Sequence, residues 1–544
     1  MTANHFDPAA HARAMRAGGF WVDRHYDDFI VATAAATADK PALVAYRADR
    51  PGWTHRVSWA DLADRVARAA AALRRRGVGP GDVVAIQLPN GWEFAVAALA
   101  AHRIGAVVNP LMPIFREREM AYMLDFAQAK VLVVPQVFRG FDHAAMARDL
   151  QRTLPQLQHV IVVDGDGPDG FDAALLGGSE RVDPAPDIAR AALQPDDLAV
   201  LMFTSGTTGS PKGVMHTLNT LMACNLSLAG RLHLQADDVL LACSPMGHMT
   251  GYAAIFLLGV GLGGTVVLQD VWDAKQGVAM MAAEGVTFTA ASTPFLLDIC
   301  DTVRAGAPRP QRLRSFLCAG APIPPVLIER AAQELDLKVC SLWGMTESLS
   351  STLTEPERAH EKSSRSDGRA LDGVDVKVVD DAGQAVPVGR TGRLLVRGAQ
   401  MFLGYYKRPD LPTFDAEGWF DSGDLACADD EGYIRINGRT KDVLIRGGEN
   451  VPVVEIEGLL FKHPAVAEAS LVGYPDERLG ERGCACLVLR PGHSLDLAGL
   501  QAYMAACKVA KQYWPERVLI LDALPRTPSG KVQKFRLREV ASKP

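Results

Sequence analysis

"TSGTTGSPKG", Thr204–Gly213, sets three glycines, a proline and a lysine among five hydroxyl side chains. Those are the ingredients of a phosphate-binding loop. Glycines let main-chain N–H groups approach an anion, hydroxyls donate, and the lysine supplies charge. The Walker order G-x-x-x-x-G-K-[ST] does not fit. Aligned on Gly206, it puts Pro211 at the second glycine and Gly213 at the Ser/Thr. The proline also removes a backbone donor. Outward from the loop, "LAVLMFT" (Leu198–Thr204) reads as a buried strand. "TLNTLMACNLSLAG" (Thr217–Gly230) spaces Leu218, Leu221, Met222, Asn225 and Leu228 as a helix does. Strand, loop and helix in that order can wrap a polyphosphate. A solvated Ser/Gly connector has the same composition, so the rest of the chain has to decide.

The same strand–helix rhythm recurs upstream and downstream. "DVVAIQLPN" (Asp82–Asn90), "AKVLVVP" (Ala129–Pro135), "HVIVVDG" (His159–Gly165), "VTFTAAS" (Val286–Ser292) and "LRSFLCAGAP" (Leu313–Pro322) are short apolar runs separated by helical patterns. That alternation predicts an α/β fold with parallel βαβ sheets. From about residue 370 the texture changes. "VDVKVVDDAGQAVPVGRTGRLLVRG" (Val374–Gly398) alternates apolar with polar and breaks at D-D-A-G-Q and G-R-T-G, which is hairpin patterning. The expected organisation is a large N-terminal domain, residues 1–437, with a β-rich subdomain over about 370–437. A small, mobile α+β domain follows over 438–544.

Bulk properties narrow the function. A chain of 544 residues exceeds one core. A net charge of −6 with no dominant Lys/Arg run argues against nucleic acid as partner. Nine cysteines, of which Cys484 and Cys486 alone lie close together, form no zinc spacing and read as reduced thiols. The N-terminal segment has no apolar core of a secretory signal. The longest apolar run, Ala253–Leu268, is 16 residues with four glycines, too short to span a bilayer. It reads as a buried helix, a glycine turn and a strand. The expectation is a cytoplasmic enzyme without a transmembrane segment, with a homodimer admitted.

Four further stretches join the loop: "SLWGMTE" (Ser341–Glu347), "WFDSGDLA" (Trp419–Ala426), "GRTKDVLIRGGEN" (Gly438–Asn450) and "PRTPSGKVQK" (Pro525–Lys534). Together and in this order they resemble the motifs of the AMP-forming acyl-CoA synthetases. These belong to the adenylate-forming superfamily that includes luciferases and nonribosomal adenylation domains. The resemblance extends over nearly the whole chain from about residue 20. It implies an acid–thiol ligase. A carboxylate attacks the α-phosphorus of Mg-ATP to give acyl-AMP and pyrophosphate, and the thiol of coenzyme A then displaces AMP. ATP, Mg²⁺ and coenzyme A are the implied cofactors and co-substrates.

The resemblance also implies roles. Thr204, Ser205, Gly206, Thr207, Thr208, Gly209 and Lys212 would hold phosphate. Glu347 would bind Mg²⁺, an ion that takes one or two carboxylates beside phosphate oxygens. Thr346 would donate to the α-phosphate, and Trp343, where the family more often has Tyr, would stack on adenine. Gly320 and Ala321 of "CAGAPIP" would border adenine and the acyl group. Asp424 and Arg439 would hold the ribose, although Asp424 next to Ser422 and Gly423 also reads as a turn cap. Lys531 would swing in to neutralise the reacting oxygens. Lys441 would be the pivot of a domain rotation that brings Gly447 and Gly448 to the pantetheine channel. In "SPMGHMTGY" (Ser244–Tyr252), His248 would stand near the acid.

Acetate-selective relatives carry Trp where this chain has Gly344, so the glycine implies an open pocket and a larger acid. Met246, Met249, Ala290, Ala291 and Phe295 would line it without charge. An amino acid's ammonium would therefore lack an acidic partner. The closest resemblance is to short- and medium-chain fatty acid and cyclohexanecarboxylate CoA ligases. Two other readings stand beside the ligase. One is an adenylation enzyme that loads a carrier protein. The other is a non-catalytic binding homologue, which would be expected to lack Lys531, Glu347 or the phosphate loop.

Overall fold

The computed structural model describes residues 6–178, 194–204, 211–320, 323–411, 413–439, 444–446, 449–527 and 531–543. Continuous β-branched runs such as Ala129–Pro135 form strands because a parallel strand is covered on both faces. Amphipathic segments form the helices between them. In helix Trp59–Arg75, Ser58 caps the first turn by accepting from the Asp61 N–H at 3.1 Å, and an alanine-rich face is buried.

Two large sheets result. The nine-stranded sheet has a parallel centre, in the order Lys338–Met345, Ser315–Ala319, Phe288–Ala291, Val239–Ala242, Thr265–Gln269, Pro41–Tyr46. Antiparallel strands close both of its edges. The six-stranded sheet is parallel except at one end, where Leu198–Thr204 pairs antiparallel with Lys212–Thr217. A four-stranded antiparallel sheet runs from Val374 to Arg439. A further sheet, starting at Leu444, includes the long hairpin Val466–Asp476 with Gly480–Leu489 and the parallel strand Arg517–Ile520. The sequence-based division at 437/438 falls inside the strand Ile434–Arg439.

One expectation is corrected. The phosphate-loop candidate does not lead straight into a helix. The strands on either side of it pair antiparallel, with Thr204 facing Lys212, and the helix Leu218–Leu232 starts only after the second strand. Residues 403–406 lie along the same strand: Tyr406 N–H donates to the Gly213 carbonyl at 2.8 Å, and Leu403 N–H to that of Met215 at 2.9 Å. Space beside Gly213 is tight: a Cβ there would stand 2.8 Å from the Leu201 side chain and 3.3 Å from Tyr406 Cβ. The apolar run at Ala253 folds as expected for its parts: helical turns through Leu262, a left-handed Gly263, and the strand Thr265–Gln269.

Candidate active site

The carboxyl ends of the parallel strands carry the candidate residues, the usual ligand edge of an open α/β sheet. Strand Lys338–Met345 delivers Trp343 and Gly344, with Thr346 and Glu347 in the turn behind it. Glu347 is buried, and Tyr405 donates its hydroxyl to Glu347 Oε1 at 2.8 Å. Burial and then the Glu347 charge raise the Tyr405 phenol. The same ring carries the Lys212 ammonium 4.8 Å above its centroid. Lys212, Tyr405 and Glu347 thus form one column from the hairpin to the sheet edge. His216 fixes its neighbour, with Nε2 lying 2.7 Å from the Thr346 carbonyl oxygen, and burial lowers this imidazole to about 4.

Asp424 lies on the strand Phe420–Ala428, an interior strand of the antiparallel sheet, opposite Arg439 on the next strand. Trp343 donates its indole N–H to Asp424 Oδ2 at 2.8 Å, and Arg439 Nε donates to Oδ1 at 2.9 Å. The turn-cap reading belongs instead to Asp421, whose Oδ1 accepts from the Gly423 N–H at 2.9 Å.

Lys531 crosses from the C-terminal sheet region into this site. Its N–H donates to Thr527 Oγ1 at 3.0 Å, and its carbonyl accepts from the Thr527 N–H at 2.7 Å. Its stem lies on Gly320, where φ is +88° and a Cβ would stand 3.0 Å from Lys531 Cε. Burial and then Arg439 lower its ammonium, against the opposing pull of Asp424 and Glu347.

A cavity of about 80 Å³ opens beside Lys531. Met249, Ala253, Ala254, Ala291, Leu317 and Leu342 make its apolar wall, with His248, Ser292 and Lys531 among its polar lining. Ala253 and Ala254 stand on a π-helical segment, Tyr252–Leu257. Burial, then Lys531, push the His248 imidazole down to about 3, so it is neutral. Its Nδ1 accepts from the Thr250 N–H at 3.3 Å. No carboxylate is among the described lining residues. A larger cavity, about 370 Å³ between Arg47 and Phe171, contains none of the candidate residues.

Several candidates are placed differently from expectation. Met246 and Ala290 are core residues outside the cavity wall, and Phe295 packs on Trp272 at 5.3 Å. Successive strand residues face opposite ways, so Ala291 points into the cavity and Ala290 away. Gly344 does line the cavity, but the space beyond it is not open. A Cβ there would stand 1.9 Å from the Leu349 carbonyl oxygen. Leu349 itself takes a left-handed φ of +52°. Main chain fills the volume that the glycine was expected to leave free. Ser205, Gly206, Thr207, Thr208, Gly209, Ala321, Lys441, Gly447 and Gly448 lie outside the described residues. Tyr405 and His216 escaped the sequence reading. The tyrosine stands 58 positions from Glu347 with no motif around it, and the histidine reads as an ordinary strand residue.

Glu347 is suited to a hard cation. One of its oxygens accepts from Tyr405, and the other has no donor among the described residues. The sole close trio of metal-ligating types among those residues is Asp429, Asp430 and Glu431, and Lys362 and Arg358 already neutralise it. Mg²⁺ commonly takes one or two protein carboxylates beside phosphate oxygens, and a single carboxylate with a free oxygen meets the protein's share of that requirement.

Residues 30–406 match the AMP-binding enzyme family and residues 455–531 the AMP-binding enzyme C-terminal domain. The medium-chain fatty-acid–CoA ligase of Escherichia coli (strain K12) is 38% identical over 534 residues, covering 97% of this chain and 92% of its own. The salicyl-AMP ligase/salicyl-S-ArCP synthetase of Mycobacterium tuberculosis (strain ATCC 25618 / H37Rv) is 36% identical over 535 residues, covering 97% and 92%. Among solved structures, ATP-bound MatB from Rhodopseudomonas palustris matches with a TM-score of 0.83 at 27% identity, over 95% of this chain and 99% of its own.

Proposed function

The chain belongs to the AMP-binding enzyme family and is an AMP-forming acid–CoA ligase, and on that premise we propose that it activates a medium-chain or alicyclic carboxylic acid at the cavity beside Lys531. The observation that carries the reading is a largely apolar cavity with a single cation, Lys531, and no carboxylate among its described lining residues. Such a pocket takes an acid with an apolar body, and its carboxylate lies toward Lys531.

In the first half-reaction a carboxylate oxygen attacks the α-phosphorus and pyrophosphate leaves. Negative charge builds on the phosphoryl oxygens, so fixed cations and donors stabilise the transition state. Lys531 stands on the acyl side and Lys212 on the phosphate side. Thr204, with residues 205–209, would hold the phosphates, and Thr346 donates to the α-phosphate. Glu347, oriented by Tyr405, would hold Mg²⁺, which offsets triphosphate charge when bound. Asp424 and Arg439 hold the ribose, with Trp343, Gly320 and Ala321 beside the adenine. Neutral His248 borders the carboxylate without adding charge.

In the second half-reaction the sulfur of coenzyme A attacks the acyl carbon and AMP leaves. The C-terminal unit rotates at Lys441, withdraws Lys531 and presents Gly447 and Gly448 to the thiol arm. Cytoplasmic residence fits a supply of ATP and coenzyme A.

A carrier-protein acceptor is the second reading, favoured by the salicyl-S-ArCP synthetase relative. Linear C2–C12, alicyclic and aromatic acids, incubated with ATP and free coenzyme A, test both readings. AMP together with an acyl-CoA thioester is the expected outcome. ADP in place of AMP overturns the first half-reaction, and acyl-AMP accumulating without thioester overturns free coenzyme A as acceptor.

A further inference from the structure

Ser292 occupies the N-cap position of helix Thr293–Arg304, where a serine ordinarily accepts from the N–H of the second or third helical residue. Here the second is Pro294, which has no N–H, and the Phe295 N–H goes to the Ser292 carbonyl at 3.1 Å. The hydroxyl is left without a cap bond. Ser292 is 5% exposed, lines the cavity, and its Oγ has no hydrogen-bond partner among the described residues. Its neighbours are satisfied: Ser244 Oγ donates to the Ala290 carbonyl at 3.0 Å, and Thr293 Oγ1 lies 3.7 Å from Cys318 Sγ. A buried hydroxyl with no partner is destabilising and rarely left so.

The position says what the hydroxyl is for. Ser292 ends the strand Phe288–Ala291, which pairs with Ser315–Ala319, the strand that runs into Gly320 beneath Lys531. One strand spacing, about 4.8 Å, separates the two strand ends. Ser292 and Lys531 line the same cavity, so an acid whose carboxylate lies at Lys531 has Ser292 in the adjoining wall.

We propose that Ser292 is a specificity residue that hydrogen-bonds an oxygen at the 2- or 3-position of the acid, a hydroxyl, a keto group or an ortho phenol. This rests on the acid–CoA ligase reading and on the acyl cavity beside Lys531. The preferred substrate then has an apolar body oxygenated next to its carboxyl group. A site built to bond that oxygen discriminates against the plain hydrocarbon analogue, which leaves the serine unpaired.

The test uses the full chain with ATP and coenzyme A on paired acids that differ by one oxygen: 3-hydroxyoctanoate with octanoate, and salicylate with benzoate. AMP release gives kcat/KM for each. The native protein should favour the oxygenated member of at least one pair by tenfold or more. Ser292→Ala should lower kcat/KM for that member by roughly 10–100-fold, mainly through KM, and leave the plain acid within about twofold. Ser292→Thr, which keeps the hydroxyl, should restore the preference. Equal loss on both members, or no change on either, overturns the proposal, since the hydroxyl would then serve the carboxylate, the fold or nothing. AMP from none of the acids sinks the ligase reading and the proposal with it.

Discussion

Replacing Lys531 by alanine separates the two half-reactions. The ammonium is set in place by the Thr527–Lys531 backbone pair and by the stem packing on Gly320. A unit charge about 4 Å from a charged phosphoryl oxygen is worth roughly 4 kcal/mol at an effective dielectric of ~20. That is about a thousandfold in rate, at ~1.36 kcal/mol per tenfold. ATP–pyrophosphate exchange in Lys531→Ala should fall by about 10³, while conversion of synthetic acyl-AMP to thioester should stay within about threefold. The pH dependence has a definite sign. Burial holds this amine below an ordinary lysine, so the docked state binds fewer protons than the undocked one between the lowered and the ordinary value. Docking strengthens as pH rises through that window while the catalytic charge is lost. Exchange should therefore fall on the alkaline side below the ordinary lysine pKa, and that limb should vanish in Lys531→Ala. Equal losses in both half-reactions, or an unchanged alkaline limb, would refute the assignment.

Tyr405→Phe keeps the ring under Lys212 and removes one hydrogen bond to Glu347, worth about 1.5–3 kcal/mol to a charged acceptor. We expect kcat/KM for Mg-ATP to drop by roughly 10–100-fold in pyrophosphate exchange while the KM of the acid stays constant. Gly344→Ala drives a methyl group into the Leu349 carbonyl and should destabilise the fold by about 3 kcal/mol; an unshifted urea midpoint would contradict the close approach. His248 has its pKa pushed down to about 3, so the unfolded chain binds more protons between that value and 6.5, and stability falls as pH drops through that range. His248→Asn should reduce the loss in urea midpoint between pH 7 and pH 5, and an unchanged loss would place the acid sensitivity elsewhere.

Buried strands were legible because covering both faces of a parallel strand demands an unbroken apolar run, and Ala129–Pro135 is read directly. Lys212–Thr217 was not. "KGVMHT" has a lysine, a glycine and a histidine, and its pairing is set by Leu198–Thr204 and by residues 403–406 rather than by its own pattern. The cavity wall shows the same limit. The family resemblance implied that Met246, Met249, Ala290, Ala291 and Phe295 share one lining, but pleat and helix phase send Met249 and Ala291 inward, Met246 and Ala290 into the core and Phe295 against it. The idle hydroxyl of Ser292 could have been suspected from the Ser-Thr-Pro order, since a proline two positions on removes one of the two N–H groups a cap would use.

Leu349, held at a left-handed φ with its carbonyl turned onto Gly344, makes part of the wall of the cavity beside Lys531 out of backbone. Backbone cannot be re-cut one codon at a time. Trimming or swelling the residues around it changes nothing at that point, because no side chain is there to trim. Drift in substrate range has to run through side chains of the lining, Ala253 and Ala254 on the π-helical wall and Ser292 among them, and laboratory evolution of the range should leave positions 344 and 349 untouched.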